Sequence, residues 1–332
     1  MRRSLNNSEI LRGLRAGNRA ILGRAISLVE SHRAEHMQQA QELLVSILPH
    51  TGRSFRVGIS GVPGVGKSTL IEALGMLLIE RGHRVAVLAI DPSSRLTRGS
   101  ILGDKTRMQQ LSKRSEAFIR PSPNGGCFGG VGRQTREAIL LCEAAGYDIV
   151  LVETVGVGQA ETRVAEMVDS FLVLLLAGAG DQLQGIKKGI LEVADVLAIN
   201  KADGEQVTVA QQAAHEYKTA LTLLRAPSAW STRVLTCSGL RRESIEALWS
   251  VVCAHRDFMQ EHGLLAPKRE HQQIQWMWQM SEQHLLGMFR KHSQIVQMGA
   301  EFERQIREQR QTSTFAAQRL VNRFLSQPLG RE

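Results

Sequence analysis

Tyrosine is nearly missing from this 332-residue chain, with two copies, and aromatic residues together make up 5%. That leaves no platform on which successive bases of a nucleic acid strand could stack. Cysteine is scarce too. Cys127, Cys142, Cys237 and Cys253 stand far apart, without a C-x-x-C or C-x-C pair or a Cys/His cluster of zinc spacing, which excludes a zinc framework and a disulfide scaffold. Free thiols in a reducing cytoplasm are the simplest account. No apolar run reaches the length of a membrane span; the longest, Phe171 to Ala177, suits a buried strand. The first residues lack an apolar signal core, so nothing points to secretion. Met1-Arg2-Arg3 with Arg12, Arg15 and Arg19 has the basic character of an organelle-targeting helix, but Glu9 and a helix expected to continue past Glu30 fit a structural segment better.

What is present is the composition of an ordinary globular protein, 43% hydrophobic and 22% charged. The length suits one sizeable α/β domain with extensions. Lys and Arg number 41 against 32 Asp and Glu, a formal charge of +9. These basic residues are scattered and no DNA- or RNA-reading motif accompanies them, so nucleic acid is not the expected partner. Solvated surface, with some positive charge directed at phosphate or coenzyme A, accounts for them better.

The most specific stretch is Gly61-Val62-Pro63-Gly64-Val65-Gly66-Lys67-Ser68. It matches G-x-x-x-x-G-K-[ST] between an apolar run (Phe55 to Ser60) and a helical one starting at Thr69, the context that makes the match a phosphate-binding loop. Its glycines let the backbone wrap an anion with N–H groups turned inward, and the following helix start adds unpaired N–H groups. Lys67 is placed to reach the terminal phosphates and the Ser68 hydroxyl to hold Mg²⁺.

From 55 to about 253, strand and helix patterns alternate, with strands expected at 55–60, 84–90, 117–120, 147–153, 170–177, 195–200 and 233–237. This is an α/β pattern, a mostly parallel P-loop sheet covered by helices on both faces. Ligands of such sheets bind beyond the carboxyl ends of the strands, and the polar motifs fall there. Asp91, closing the second strand before Pro92-Ser93-Ser94, is placed to act on Mg²⁺ or its waters; its bland alternative is a turn-forming Asp-Pro. Gly99 to Met108, containing Asp104, suits a segment that responds to the terminal phosphate. Asn124 to Gly132 reads as a second flexible loop, its blandest reading a hinge without chemistry. Glu153 closes the fourth strand where it can serve Mg²⁺ through water, and Gly156 can bond the γ-phosphate. Gln159 or Glu161 could orient the attacking water, and the sequence does not choose between them.

The second specific signal is Asn200-Lys201-Ala202-Asp203 at the end of the sixth strand. Asp203 can accept from the ring N–H and exocyclic amino group of guanine, a pairing adenine cannot offer. Asn200 bonds the base edge, and the stem of Lys201 covers its face. Such a site rejects the wrong base because buried polar groups would go unpaired. With Ser238, Gly239 and Leu240 following on the next loop, the expected nucleotide is GTP, with GDP as product. Asp181 to Gly189, after Gly178-Ala179-Gly180, is either a loop into a solvated basic helix or a nucleotide-sensitive loop for a partner protein.

The ends differ. Residues 8 to 48 read as two helices, broken by Pro49 to Gly52 and packed on the nucleotide domain. Residues 260–332, rich in Gln, Arg, Glu and His, suggest amphipathic helices, one carrying Ile274, Trp276, Met277, Trp278, Met280, Leu285, Leu286, Met288 and Phe289. These helices are too few for a core of their own, so they are expected to pack on a second copy, with core packing the simplest role for the Trp and Met residues. The expected division is a helical extension at 1–52, a GTPase domain at 53–258 and a helical dimerisation arm at 259–332.

With these motifs in place, the sequence resembles the MeaB/ArgK-type GTPases, chaperones of B12-dependent acyl-CoA mutases of the methylmalonyl-CoA mutase type. The resemblance covers nearly the whole chain and rests on the phosphate loop, Asp91-Pro92-Ser93-Ser94, Gly99 to Met108, Val152 to Gln159, Ala177 to Gly189 and Asn200 to Asp203. It implies a homodimer in which GTP hydrolysis is coupled to loading the mutase with adenosylcobalamin and protecting it. By the same match, Ser68, Asp91, Asp104 and Glu153 surround Mg²⁺, and the loop from Gly178 to Lys188 transmits the nucleotide state. Lys67, Asp104, Glu153, Gln159 and Lys188 are then the candidate catalytic residues. Arg98 departs from the family's usual glycine, Cys127-Phe128 from its usual residues, and Gly239 from its usual alanine after Ser238. Competing assignments are a nickel metallochaperone, for which the Cys/His motifs are missing, a signalling GTPase with another partner, and a kinase-like ATPase linked to basic amino acid transport, for which no phospho-acceptor site or transport segment is found.

Overall fold

A computed structural model describes residues 5–31, 33–91, 108–123, 130–154, 160–178, 188–224 and 229–326. The motif residues Arg98, Asp104, Cys127, Phe128, Gly156 and Gln159 lie outside them, as do the side chains of Asp91 and Lys188. The chain divides into two compact units, Met1–Gln272 and Gln273–Glu332.

The first unit is built on seven strands: β1 (Phe55–Gly61), β2 (Val85–Asp91), β3 (Ala117–Pro123), β4 (Ile149–Glu153), β5 (Ser170–Leu176), β6 (Val196–Asn200) and β7 (Arg233–Thr236). All run parallel in the order β3-β2-β4-β1-β5-β6-β7. Each falls within a few residues of its expected span, and the runs Val85 to Ile90, Ile149 to Val152 and Leu172 to Leu176 are continuously apolar, as strands buried on both faces are. β1, β4 and β6 are buried throughout. The order reverses at β1, flanked by β4 and β5, so the carboxyl end of β1 opens on the crevice where such sheets bind ligands.

Helices cover both faces. On one lie α4 (Lys67–Glu80) and α10 (Ile245–Glu261), whose Leu70, Leu74, Leu78, Leu248 and Trp249 join Val57, Ile59 and Leu172 in one core. On the other, α6 (Gly130–Ala144) and the N-terminal helices share a core with the sheet. Each fully buried Leu or Ile there contributes about 1.5–3 kcal/mol. Between these elements run the short α5 (Gln109–Ser112), α7 (Ala160–Ala165) and α8 (Lys188–Val193), and the longer α9 (Val207–Leu224).

The N-terminal segment forms three helices, not two: α1 (Asn7–Arg15), α2 (Arg19–Val29) and α3 (Ala34–Ile47). The additional break has a local cause. Gly17 takes φ +68°, a left-handed turn suited to glycine, and the Asn18 side chain then accepts from the N–H groups of Ala20 (3.0 Å) and Ile21 (3.2 Å) to start α2. Nor does α2 continue past Glu30, which caps it. Ile10, Leu14, Leu22, Ile26, Leu43 and Ile47 of these helices pack in the core that holds Ile139 and Leu141 of α6.

At the amino ends of the strands, polar groups far apart in sequence are buried together. Arg56 pairs with Glu143 (Nε–Oε1 2.8 Å, Nη2–Oε2 3.1 Å), which also accepts from Ser54 Oγ and Gly52 N. Asp169, 1% exposed, accepts from Arg56 N (2.8 Å) and takes both arms of Arg269 (2.7 and 2.6 Å). Arg269 further donates to the carbonyls of Gly52 and Ser54 (2.6 Å each), fastening the start of α11 (Leu265–Lys291) to the sheet. Nearby, buried His255 meets Ser170 and stands 3.4 Å from Asp195; burial holds its imidazole below the ordinary pKa despite the pull of Asp195.

Within the second unit, α12 (Ser293–Arg307) and α13 (Ser313–Leu325) follow, and Phe289 near the end of α11 meets Phe324 of α13 edge to face at 5.3 Å. The apolar residues expected to form a core stay exposed in the single chain: Met277 53%, Trp278 61%, Leu285 53% and Leu325 71%. Among the described residues, no helix is long and apolar enough to cross a membrane.

Arg269→Ala would leave the Asp169 carboxylate buried with a backbone N–H in place of its cation. We expect a loss of about 3 kcal/mol, measurable by urea unfolding, and little recovery with Arg269→Lys because lysine cannot form the two-armed contact.

Candidate functional site

The phosphate loop sits at the carboxyl end of β1 and runs into α4. Gly61 ends the strand at φ +149°, and a Cβ there would stand 2.5 Å from the Leu174 carbonyl oxygen of β5. Gly64 (φ +78°) and Gly66 (φ +96°) make the turn, and Gly66 occupies the cap position of α4. A Cβ on Gly66 would come within 2.7 Å of Asn200 Nδ2. The loop therefore needs glycine twice over, for its backbone angles and for the close approach of neighbouring groups. Val65 packs inward with no exposure, pinning the turn to the core, whereas Pro63 and Gly64 are exposed.

Lys67 and Ser68 occupy the first turn of α4, followed by exposed Thr69. The Lys67 ammonium folds back over the loop and donates to the carbonyls of Gly61 (2.7 Å) and Val62 (3.1 Å). Ser68 Oγ donates to Glu153 Oε1 at 3.0 Å, joining the helix start to the end of β4. Glu153 is 8% exposed. A hydroxyl and a carboxylate are the hard oxygen donors that suit Mg²⁺, and Asp91 closes the adjacent β2. Behind this pair, Thr154 Oγ1 donates to Ser60 Oγ at 2.8 Å in a fully buried contact that ties β4 to β1. Motif reasoning passed over Ser60 and Thr154. Their only sequence signal was a polar residue ending each apolar strand.

At the end of β6, Asn200 links three segments. It is 3% exposed; its Nδ2 donates to the Val65 carbonyl at 2.7 Å, and its Oδ1 accepts from Gly239 N at 3.1 Å. Cys237 Sγ lies 3.7 Å from the same Oδ1, and burial pushes this thiol up to about 12. Lys201 then takes φ +61° and points its exposed side chain outward. The Asp203 carboxylate accepts from Ser238 Oγ, which itself accepts from Arg241 N at 3.1 Å. Gly239 lies against α4, where a Cβ would be 3.0 Å from both Cα and N of Leu70. Leu240 is 77% exposed at the rim.

The strand ends thus gather Gly61 to Thr69, Glu153, Asn200 to Asp203 and Ser238 to Leu240 at one edge of the sheet. Glu161 is buried at the start of α7. Among the described residues no group of three or more His, Cys, Asp or Glu is arranged to hold a metal ion.

Asn200→Ala removes both links while leaving the Val65 carbonyl and the Gly239 N–H buried. We expect a loss of about 2 kcal/mol of stability, seen as a lowered denaturation midpoint, together with weaker nucleotide binding.

Comparison with known proteins agrees with this geometry. The family model described as Methylmalonyl Co-A mutase-associated GTPase MeaB matches residues 22–294. A Caulobacter vibrioides protein carrying a provisional GTPase name is 53% identical over 310 residues, 93% of this chain and 95% of that one. The mouse protein named Methylmalonic aciduria type A homolog, mitochondrial, is 45% identical over 325 residues, 95% of this chain and 78% of that one. A crystal structure described as a LAO/AO transport system kinase superposes with a TM-score of 0.79 at 38% identity, covering 98% of this chain and 100% of that one. Parallel sheet, phosphate loop, guanine motif and these likenesses together establish that the chain belongs to the MeaB family of P-loop GTPases.

Proposed function

We propose that this GTPase binds Mg²⁺–GTP at the carboxyl edge of the sheet and couples its hydrolysis to adenosylcobalamin loading and protection of a B12-dependent acyl-CoA mutase. The observation that carries the nucleotide assignment is the Asn200 link between phosphate loop and base loop, which fixes the distance between the two recognition elements. The mutase assignment is supported by the family's description as mutase-associated.

In this reading the amides of Gly61 to Ser68 hold the phosphates and Lys67 exchanges its loop carbonyls for phosphate oxygens. Mg²⁺, when bound, neutralises charge developing on the phosphate oxygens. Ser68 and Glu153 hold it, with Asp91 and Asp104 completing the set; Ser68 and Glu153 already stand together. Gly156 bonds the γ-phosphate. Gln159 or Glu161 orients the attacking water, and Lys188 acts from the loop that reports nucleotide state to the client. Asp203 reads the guanine edge, Lys201 covers the ring, and Ser238, Gly239 and Leu240 complete the pocket.

We assign the segment after about residue 258 to pairing with a second copy, consistent with the exposed Met277, Trp278, Leu285 and Leu325. The helical extension at 1–52 and the GTPase domain at 53–258 complete the division. A cytoplasmic location suits the free thiols of Cys142, Cys237 and Cys253.

Two outcomes are expected. Adding a purified methylmalonyl-CoA-type mutase should raise GTP turnover several-fold, an effect absent in Lys67→Ala; turnover indifferent to the mutase contradicts the client. Asp203→Asn should shift preference from GTP toward xanthosine triphosphate, whose altered edge restores the pairing, by about 100-fold or more; competition binding measures it.

A further inference from the structure

A second polar cavity lies at the opposite end of the sheet. It has a volume of about 310 Å³ and is lined by Arg15 from the end of α1, His50 and Arg53 before β1, Arg84 before β2, and Glu143 and Asp148 around the entry to β4. The amino ends of β1, β2 and β4 meet there because the three strands are parallel neighbours. The phosphate loop begins at the far end of β1, seven residues away, or about 20 Å. This cavity is therefore separate from the nucleotide site.

Its charge balance is uneven. Both carboxylates are already engaged: Glu143 by Arg56, Ser54 and Gly52, and Asp148 by His83 Nδ1 (2.6 Å) and Arg84 N (2.7 Å). The arginines are not neutralised in turn. The Arg84 guanidinium spends Nη1 on the carbonyls of Ala145 (3.0 Å) and Gly146 (3.4 Å) and lies 4.7 Å above the Tyr147 ring, so it is held in place without meeting an anion among the described residues. Two glycines make room for it. A Cβ on Gly146 (φ +80°) would stand 2.9 Å from its Nη1, and one on Gly17 (φ +68°) 3.0 Å from its Nη2. Arg15 and Arg53 are exposed at the rim, and neither guanidinium has a partner among the described residues.

One fixed and two unengaged guanidinium groups around a single cavity carry more positive charge than a monocarboxylate would balance. Their planar forks match the oxygens of a phosphate. We infer that this cavity is a second anion site, taking a phosphate dianion either as the free ion or as the terminal group of a small phosphorylated metabolite. A volume at the lower end of small-molecule pockets suits a ligand of sugar-phosphate size. Arg84 supplies the fixed donor; Arg15 and Arg53 close over the ligand.

The test uses the full chain saturated with Mg²⁺–GDP, titrated with orthophosphate and separately with ribose 5-phosphate at constant ionic strength. Calorimetry gives affinity, and amide NMR shifts give location. Saturable binding is expected, with shifts at Gly146 and Asp148 and none at Gly64 to Ser68. The double variant Arg15→Ala/Arg53→Ala, which removes two exposed side chains without partners, should bind at least about 10-fold more weakly while keeping its thermal midpoint. Tighter binding of one probe identifies the source as free ion or metabolite. Absence of saturable binding by both probes, unchanged affinity in the double variant, or shifts confined to Gly64 to Ser68 would overturn the inference. Shifts confined there would place the anion in the nucleotide site, whatever that site's own nucleotide turns out to be.

Discussion

A single buried carboxamide holds the recognition edge of this protein together. Asn200 reaches from the end of β6 to the Val65 carbonyl in one direction and the Gly239 N–H in the other. Phosphate loop, base loop and the turn after β7 are otherwise separate connections on a parallel sheet, free to drift by the small rotations that loops allow. Tied through one side chain at 3% exposure, they keep a fixed spacing. A nucleotide is a ligand of fixed length, so recognising both ends of it depends on that spacing. Gly66 and Gly239 are constrained by the same packing: a side chain on the first would strike the Asn200 amide, and one on the second would press on Leu70.

The two ends of the sheet solve different problems. At the carboxyl end, the contacts are neutral or single hydrogen bonds, such as Ser68 to Glu153 and Thr154 to Ser60, which can exchange partners when a ligand arrives. At the amino end, two arginine–carboxylate pairs, Arg56 with Glu143 and Arg269 with Asp169, are buried and multiply bonded. A broken pair there would leave a charge without a partner, so that end resists rearrangement. The chain thus has a rigid base and an adaptable rim. The base also fastens the start of α11 to the sheet.

Much of the architecture was legible from local patterns. Several strands announced themselves as continuous apolar runs, Val85 to Ile90, Ile149 to Val152 and Leu172 to Leu176 among them, because burial on both faces forbids alternation, and the phosphate loop and Asn200-Lys201-Ala202-Asp203 were readable as motifs. Long-range polar pairing was not. Arg56, Glu143, Asp169 and Arg269 are scattered over more than two hundred residues, and nothing near any of them in the chain names its partner. Asn200 was recognised by its motif, but its grip on Val65 and Gly239 depends on how three loops converge. The break between α1 and α2 turned on one glycine–asparagine pair that the longer apolar periodicity concealed. Trp278 and Met277 carry the spacing of a buried helix face, yet stand in solvent in the single chain.

The central claim is that one edge of the sheet accepts a guanine nucleotide by holding its phosphates and its base at a spacing set within the protein. Equilibrium titration of the purified chain with fluorescent GDP in magnesium buffer, competed by unlabelled GDP and ADP, tests this most directly. The account predicts one saturable site per chain from which GDP displaces the probe and ADP does so only at about 100-fold higher concentration. Equal competition by ADP, or no saturable binding at all, would contradict it.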